Sequence, residues 1–176
     1  MTSPHIMILG VGNILFSDEG FGIRVIERLL DLYEFPENVS IVDGGVLGMN
    51  LLGIISEADF LVVIDAVKNG GRPGTMVRLE GAEIPARIRA KNSLHQVDFL
   101  EALTMCQALD KVPQTVILGV EPQDIETLST ELTPLIQTTV DPMVERVLSE
   151  IAQWGASGHK RSLDHVPGHT FQDCGN

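Results

Sequence analysis

A chain of 176 residues can fold as one domain with a substantial core, and its 44% hydrophobic and 20% charged residues are typical of globular proteins. The formal net charge of −12 argues against a nucleic-acid partner, because neutralising phosphates needs clustered Lys and Arg. No apolar run approaches the roughly 20 residues that span a bilayer, so we expect no membrane partner. We expect no signal peptide either, and two cysteines (Cys106 and Cys174) indicate the reducing cytoplasm rather than a disulfide framework.

Strand and helix patterns alternate along the chain. Strands are predicted at Ile6–Gly10, Val39–Asp43, Phe60–Asp65, Thr75–Glu80 and Thr115–Val120, and helices at about Gly20–Tyr33, Leu47–Ala58, Gln96–Leu109 and Thr133–Trp154. The third strand is apolar almost throughout, as is typical of a central parallel strand covered on both faces. Residues 68–74 are too few for a crossover helix, so the fourth strand should return antiparallel at the edge.

These elements predict an α/β domain over residues 1–154. Its fold class is a three-layer sandwich: a mostly parallel, twisted five-stranded sheet with one antiparallel edge strand and helices on both faces. Thr133 as N-cap and Pro134 in the first turn fit the start of the last helix, and Asp141-Pro142 is a potential break or kink within it. Residues 155–176 lose periodicity, which predicts a flexible, polar C-terminal tail.

A glycine turn and an acidic pair follow the first strand. Gly10-Val11-Gly12 looks like part of a nucleotide-binding loop, but Leu15 stands where the dinucleotide fingerprint needs its third glycine. A P-loop would need Gly-Lys-Ser/Thr, which is absent. Asp18 and Glu19 would repel a phosphate, so the turn favours a site that binds a cation.

Carboxylates occur where the predicted strands end. In open α/β sheets, ligands bind beyond the carboxyl ends of the strands. Glu19 follows the first strand, Asp43 closes the second, Asp65 closes the third, and His95 precedes the helix expected from residue 96. Two carboxylates and an imidazole suit a divalent transition metal such as nickel or zinc.

Each of these residues also has a purely structural interpretation. Asp18 could cap the following helix, Glu19 could favour the positive end of its dipole, and Asp43 is a natural turn residue. His95 could be a loop histidine without a ligand. Asp65 is harder to explain, because a carboxylate that ends an apolar strand must be paired or pay for desolvation. Only their convergence on one edge of the sheet indicates a site.

Four motifs, in this order and spacing, carry a resemblance to a known family. They are Gly10-Val11-Gly12-Asn13-Ile14-Leu15 with Ser17-Asp18-Glu19-Gly20, then Asp43-Gly44-Gly45, Ile64-Asp65-Ala66 and Ser93-Leu94-His95-Gln96. From about Ile6 to Trp154 the chain resembles the hydrogenase maturation endopeptidases, small cytoplasmic α/β proteases that process the large subunit of nickel–iron hydrogenases. The resemblance implies removal of a short C-terminal extension once nickel is in the precursor's active site.

Site residues follow from the same resemblance. It implies that Glu19, Asp65 and His95 contact nickel carried by the precursor, a position that other divalent metals could also occupy. It implies a role for Asp43 in cleavage or substrate recognition. One departure is visible, since the family often has proline where Leu94 precedes the histidine. That change could loosen the loop but leaves the ligand intact.

The sequence leaves the chemistry open in two respects. The metal could polarise the scissile carbonyl or activate water, or Asp43 could act as the base. A non-catalytic nickel-binding maturation chaperone on the same fold is the alternative to a protease. In either case we expect a monomer whose partner is the hydrogenase large-subunit precursor.

Overall fold

A five-stranded mixed sheet organises the chain in the computed structural model, which describes residues 2–45, 51–81, 83–84 and 112–162. The strands are β1 Ile6–Val11, β2 Tyr33–Glu34, β3 Val39–Gly45, β4 Phe60–Ala66, β5 Met76–Glu80, β6 Gln114–Val120 and β7 His159–Lys160. The helices are α1 Phe21–Leu32, α2 Leu51–Ile55, α3 Pro134–Gln137 and α4 Val140–Gln153. The sheet order is β3-β1-β4-β6-β5, with β5 antiparallel to β6 and every other pair parallel. The predicted mixed sheet with an antiparallel edge strand is confirmed.

Alternate strand residues face two separate apolar cores. On β1, Ile8 faces a core shared with α1 and α4, whereas Leu9 faces a second core that includes Ile55 of α2. The predicted helices on both faces of the sheet are therefore confirmed. The helix predicted over 96–109 lies outside the described residues. Of the helices in the described part of the chain, none has the length and apolar character needed to cross a membrane.

The predicted C-terminal helix is two helices, α3 and α4, with a break at Thr138 and Thr139. Pro134 occupies the first turn of α3, as predicted, and Thr133 precedes it in the N-cap position without capping through its side chain. The break comes just before Asp141-Pro142. Pro142 therefore falls in the first turn of α4, where its missing N–H breaks no helical hydrogen bond.

A small antiparallel sheet joins the end of α1 to the segment after α4. β2 pairs with β7, and the N–H of Arg161 donates to the carbonyl oxygen of Leu32 at 2.9 Å. The sequence assigned all of 155–176 to a flexible tail. That assignment is wrong for residues 159–161, because two-residue strands have no readable period and their partner is distant in sequence. Residues 163–176 lie outside the described part.

Candidate active site

The turn between β1 and α1 closes on itself at the carboxyl edge of the sheet. At Gly12 the backbone has φ +132°, and a Cβ there would lie 1.9 Å from the carbonyl oxygen of Glu19. The same carbonyl accepts a hydrogen bond from the N–H of Asn13 at 3.2 Å. Glycine is required because the two ends of the turn touch, and this contact fixes the backbone of Glu19 over the end of β1.

The first turn of α1 lies directly on the ends of β1 and β4. A Cβ on Gly22 would be 2.4 Å from the carbonyl oxygen of Val11 and 2.2 Å from that of Ile64. A Cβ on Gly10 would in turn be 2.6 Å from the carbonyl oxygen of Gly22. Glycines at both positions allow the helix to approach the strands at backbone contact. The Glu19 turn is thereby set beside the strand end that carries Asp65.

Three of the four predicted site residues lie at the carboxyl edge of the sheet. Asp65 is 9% exposed, near the end of β4 and in register with Gly119 of β6. Glu19 is half-buried in a 3-10 turn over Ser17–Gly20, and Asp43 is exposed near the end of β3.

The fourth residue, His95, lies outside the described residues. Among those that are described, no group of three His, Cys, Asp or Glu side chains is placed to hold a metal ion. The predicted ligand set of Glu19, Asp65 and His95 thus stays a prediction.

Strand register separates Asp43 from Asp65. Asp43 pairs with Gly10, which pairs with Ile64, and residues at one level of parallel strands face the same side. Ile64 faces the core containing α1, so the Asp43 side chain is on the α1 face and Asp65, the next residue along β4, is on the other. β1 stands between the two strands, a separation of roughly 10 Å. This placement favours separate roles for the two aspartates.

Asp18 is completely buried and is not the helix cap that its position suggested. Its Oδ2 accepts from the N–H groups of Gln123 and Asp124, both at 2.9 Å. Its Oδ1 accepts from the N–H of Thr133 at 2.7 Å and from the Thr133 hydroxyl at 3.0 Å. This carboxylate fastens the loop between β6 and α3 to the turn that carries Glu19.

Glu121 is a further buried carboxylate, and it was not among the predicted site residues. It is 5% exposed, directly after β6, and accepts from the N–H groups of Asn69 at 2.7 Å and Gly70 at 3.1 Å. The N–H of Gly74 donates to its carbonyl oxygen at 2.8 Å. Glu121 therefore holds the β4–β5 loop in place. Its signal was the one noted for Asp65, an acid at the end of an apolar strand.

A polar cavity of about 230 Å³ lies where these two loops meet, lined by Lys68, Pro122, Gln123, Asp124, Ile125 and Glu126. Asp124 Oδ1 accepts from the N–H groups of Glu126 at 2.9 Å and Thr127 at 3.0 Å. Hydrogen bonds, first that of the Thr127 side chain, hold the pKa of the Asp124 carboxyl below its ordinary value. The cavity therefore combines the side chain of Lys68 with a carboxylate whose ionised form is favoured by hydrogen bonds.

Known proteins are similar to this chain in sequence and in fold. Residues 23–150 match the family described as hydrogenase maturation protease. The chain is 40% identical over 162 residues to the hydrogenase expression/formation protein HupD of Thiocapsa roseopersicina, covering 91% of this chain and 73% of that one. It is 37% identical over 163 residues to the hydrogenase 2 maturation protease of Escherichia coli K12, covering 92% of this chain and 99% of the relative.

A solved structure agrees with the sequence matches. The hydrogenase maturating endopeptidase HybD of E. coli has a TM-score of 0.86 and 36% identity, over 89% of this chain and 98% of that one. The family match covers well over half of the chain, from within α1 to near the end of α4. On this evidence the chain belongs to the hydrogenase maturation protease family.

Proposed function

We propose that this protease removes the C-terminal extension from the large-subunit precursor of a nickel–iron hydrogenase after nickel insertion. In this proposal Glu19, Asp65 and His95 contact the nickel that the precursor carries, so the metal belongs to the substrate. Asp43 acts in cleavage or substrate recognition from the other face of the sheet. The enzyme works as a monomer in the cytoplasm, before the large subunit joins its small subunit.

One observation carries this proposal: α1 begins in backbone contact with the ends of β1 and β4. The Glu19 turn lies beside the strand that carries Asp65, because Gly22 contacts the end of that strand. Burial of the Asp65 carboxylate weakens solvent screening, so its attraction to a cation is stronger than it would be in water. Carboxylates combined with an imidazole are suitable ligands for nickel.

The proposal also requires His95 to reach this edge of the sheet. The connection that carries His95 starts after Glu80. Because β5 runs antiparallel to β6, Glu80 lies beside the amino ends of the parallel strands, away from their carboxyl ends. Roughly 15 extended residues can span about 50 Å, whereas a seven-residue strand such as β6 is about 23 Å long. The length of the connection is therefore sufficient.

Peptide cleavage needs a water to attack the scissile carbonyl and a proton for the departing nitrogen. An exposed carboxylate such as Asp43 can take the proton from the water and return it to the leaving amine. Its separation from Asp65 fits a division of labour, in which Glu19 and Asp65 position the precursor while Asp43 moves protons.

The test uses purified nickel-loaded precursor with the wild type and three variants, Glu19→Gln, Asp65→Asn and His95→Ala. Each variant is expected to slow processing by at least about a hundredfold, because each loses a contact that positions the reacting bond. Glu145→Gln, an exposed position on α4, is the control and should process normally. Wild-type rates for all three site variants would show that the assignment is wrong.

A second test separates nickel recognition from cleavage. With nickel-free precursor, the wild type should leave the large subunit at its full length, as read by mass spectrometry. Equal cleavage with and without nickel would reject the recognition role. Nickel-dependent binding without any change in precursor mass would support the chaperone alternative. Membership of a protease family argues against that alternative.

A further inference from the structure

Large apolar side chains are exposed on two loops beside the Glu19 turn. Ile14 is 39% exposed, Leu15 is 50% exposed and Leu128 is 75% exposed. One exposed leucine is ordinary in a globular protein, but here apolar side chains are exposed on two loops that are distant in sequence and joined through their backbones. We call Ile14, Leu15 and Leu128 the apolar rim.

Main-chain hydrogen bonds hold the two halves of the apolar rim together. The N–H of Ser129 donates to the carbonyl oxygen of Leu15 at 2.9 Å, and the N–H of Ser17 donates to the carbonyl oxygen of Ser129 at 2.8 Å. Phe16 and Ser129 thereby form a parallel bridge, with Leu15 and Leu128 as neighbours just before it. The bridge therefore brings the backbones of Leu15 and Leu128 close together, and both side chains are exposed.

The backbone under the apolar rim is held by a strained residue and a buried carboxylate. Ser17 has φ +49°, a conformation that costs a non-glycine residue free energy and persists only where the surroundings enforce it. The buried Asp18 carboxylate next to it binds the other loop at Gln123, Asp124 and Thr133. A partner that binds such a surface loses little loop entropy, so exposed apolar groups there favour association.

Position and charge indicate what binds. The apolar rim is continuous with the proposed site, because Asn13, next to Ile14, donates its N–H to the carbonyl oxygen of Glu19. The loop over residues 122–133 carries three acids and no Lys or Arg, in a chain with net charge −12. A segment that complements this surface is apolar and carries basic residues.

We propose that the apolar rim binds the hydrogenase precursor through an apolar segment that contains Lys or Arg and lies next to the scissile bond. The identity of the partner rests on the proposed function, whereas the surface is a property of the fold. Ile14, Leu15 and Leu128 are binding residues that determine affinity for the precursor, distinct from the residues that contact nickel.

The experiment measures kcat and KM on nickel-loaded precursor for wild type, Leu15→Ala and Leu128→Ala. Each variant should raise KM by about tenfold with a much smaller change in kcat, as expected for truncated side chains at the centre of an interface. The matched control is Leu30→Ala, since Leu30 is 48% exposed on α1, away from the apolar rim. The control should keep the wild-type KM.

The salt dependence of KM tests the proposed charge of the bound segment. For the wild type, raising the salt concentration from 0.05 to about 0.5 M should increase KM severalfold, because salt screens exposed charges. A Glu126→Gln, Glu131→Gln double variant should lose most of this salt dependence. If KM of the double variant depended on salt as strongly as KM of the wild type, the bound segment would not carry the proposed basic residues.

The two proposals fail in different ways. Unchanged KM in both leucine variants, or an equal rise in Leu30→Ala, would overturn the apolar rim even if Glu19→Gln abolishes cleavage. If Glu19→Gln cleaves normally while Leu15→Ala raises KM, the role given to Glu19 is wrong and the apolar rim stands. Circular dichroism and thermal melting of each variant exclude loss of fold as the cause.

Discussion

A buried carboxylate needs hydrogen-bond donors. Asp18 accepts from main-chain N–H groups that lie 105 to 115 residues further along the chain. In Asp18→Asn, an NH₂ group would replace one carboxylate oxygen. Main-chain N–H groups that now donate to that oxygen would face another donor and lose their acceptor. We expect the free energy of unfolding to fall by about 2–3 kcal/mol, as for other buried groups left without an acceptor. Urea denaturation measures the change. Asp141→Asn, which affects an exposed ion pair with Arg28, should have almost no effect; equal midpoints for the two variants would contradict the role given to Asp18.

Asp124 offers a prediction about pH. Hydrogen bonds from Thr127 and Glu126 lower the folded-state pKa of Asp124 below the ordinary value of 3.8. The ionised carboxylate therefore stabilises the folded protein at pH values above 3.8. This contribution is lost as the pH falls through the lower, folded pKa. Thr127→Ala removes the first cause and should raise the pKa of Asp124 toward 3.8, read from its carboxyl ¹³C shift against pH. An unchanged titration would mean that the Thr127 hydroxyl does not bind Asp124.

At the scale of elements, the contact between α1 and the strand ends can be tested at Gly22. In Gly22→Ala the new methyl group would meet the carbonyl oxygens of Val11 and Ile64, so the helix must move. We expect a loss of about 1–3 kcal/mol in unfolding free energy, typical of overpacking, together with slower processing. Denaturant unfolding and the precursor assay measure the two effects.

Gly53→Ala is the matched control, because a Cβ at this α2 position meets nothing within 4 Å. Alanine is a better helix former than glycine, so this variant should be as stable as the wild type or up to about 1 kcal/mol more stable. If Gly22→Ala behaved in the same way, the close approach of α1 to the sheet would not be needed.

Elements with a strong period were predictable from the sequence. β4 and β6 begin and end within one residue of their predictions, since long apolar runs are unambiguous. The pairing of β2 with β7 was not predictable, because two-residue strands depend on a partner from the far end of the chain. The break between α3 and α4 was expected at Asp141-Pro142, yet proline is tolerated in the first turn of α4.

At the scale of the whole molecule, the segment after α4 packs against the end of α1, where β7 pairs with β2. The Arg161 guanidinium donates to the carbonyl oxygen of Leu30 at 3.0 Å and to Glu34 at 3.1 Å. A chain ending at Gly158 should therefore melt a few degrees below one ending at Ser162, a difference of about 1 kcal/mol. Differential scanning calorimetry compares the two. Equal melting temperatures would mean that β7 adds nothing to stability.

The candidate site was predictable to the extent that topology determines it. Parallel strands share a carboxyl edge, so acids that follow them must gather there, and Glu19, Asp43 and Asp65 do. The opposite faces of Asp43 and Asp65 depend on strand register, which the sequence does not specify. Except for the Thr133 hydroxyl, the partners of Asp18 and Glu121 are long-range main-chain groups, and these leave no motif.

Two buried carboxylates grip the loops around the site by main-chain N–H groups, at Asn69 and Gly70 for Glu121 and at Gln123, Asp124 and Thr133 for Asp18. Every residue except proline offers such an N–H. Apart from Thr133, whose hydroxyl also donates to Asp18, the side chains at these positions can therefore change while the contacts remain. The same scaffold can therefore evolve toward different precursors, or be retargeted by design, through exchange of loop side chains alone.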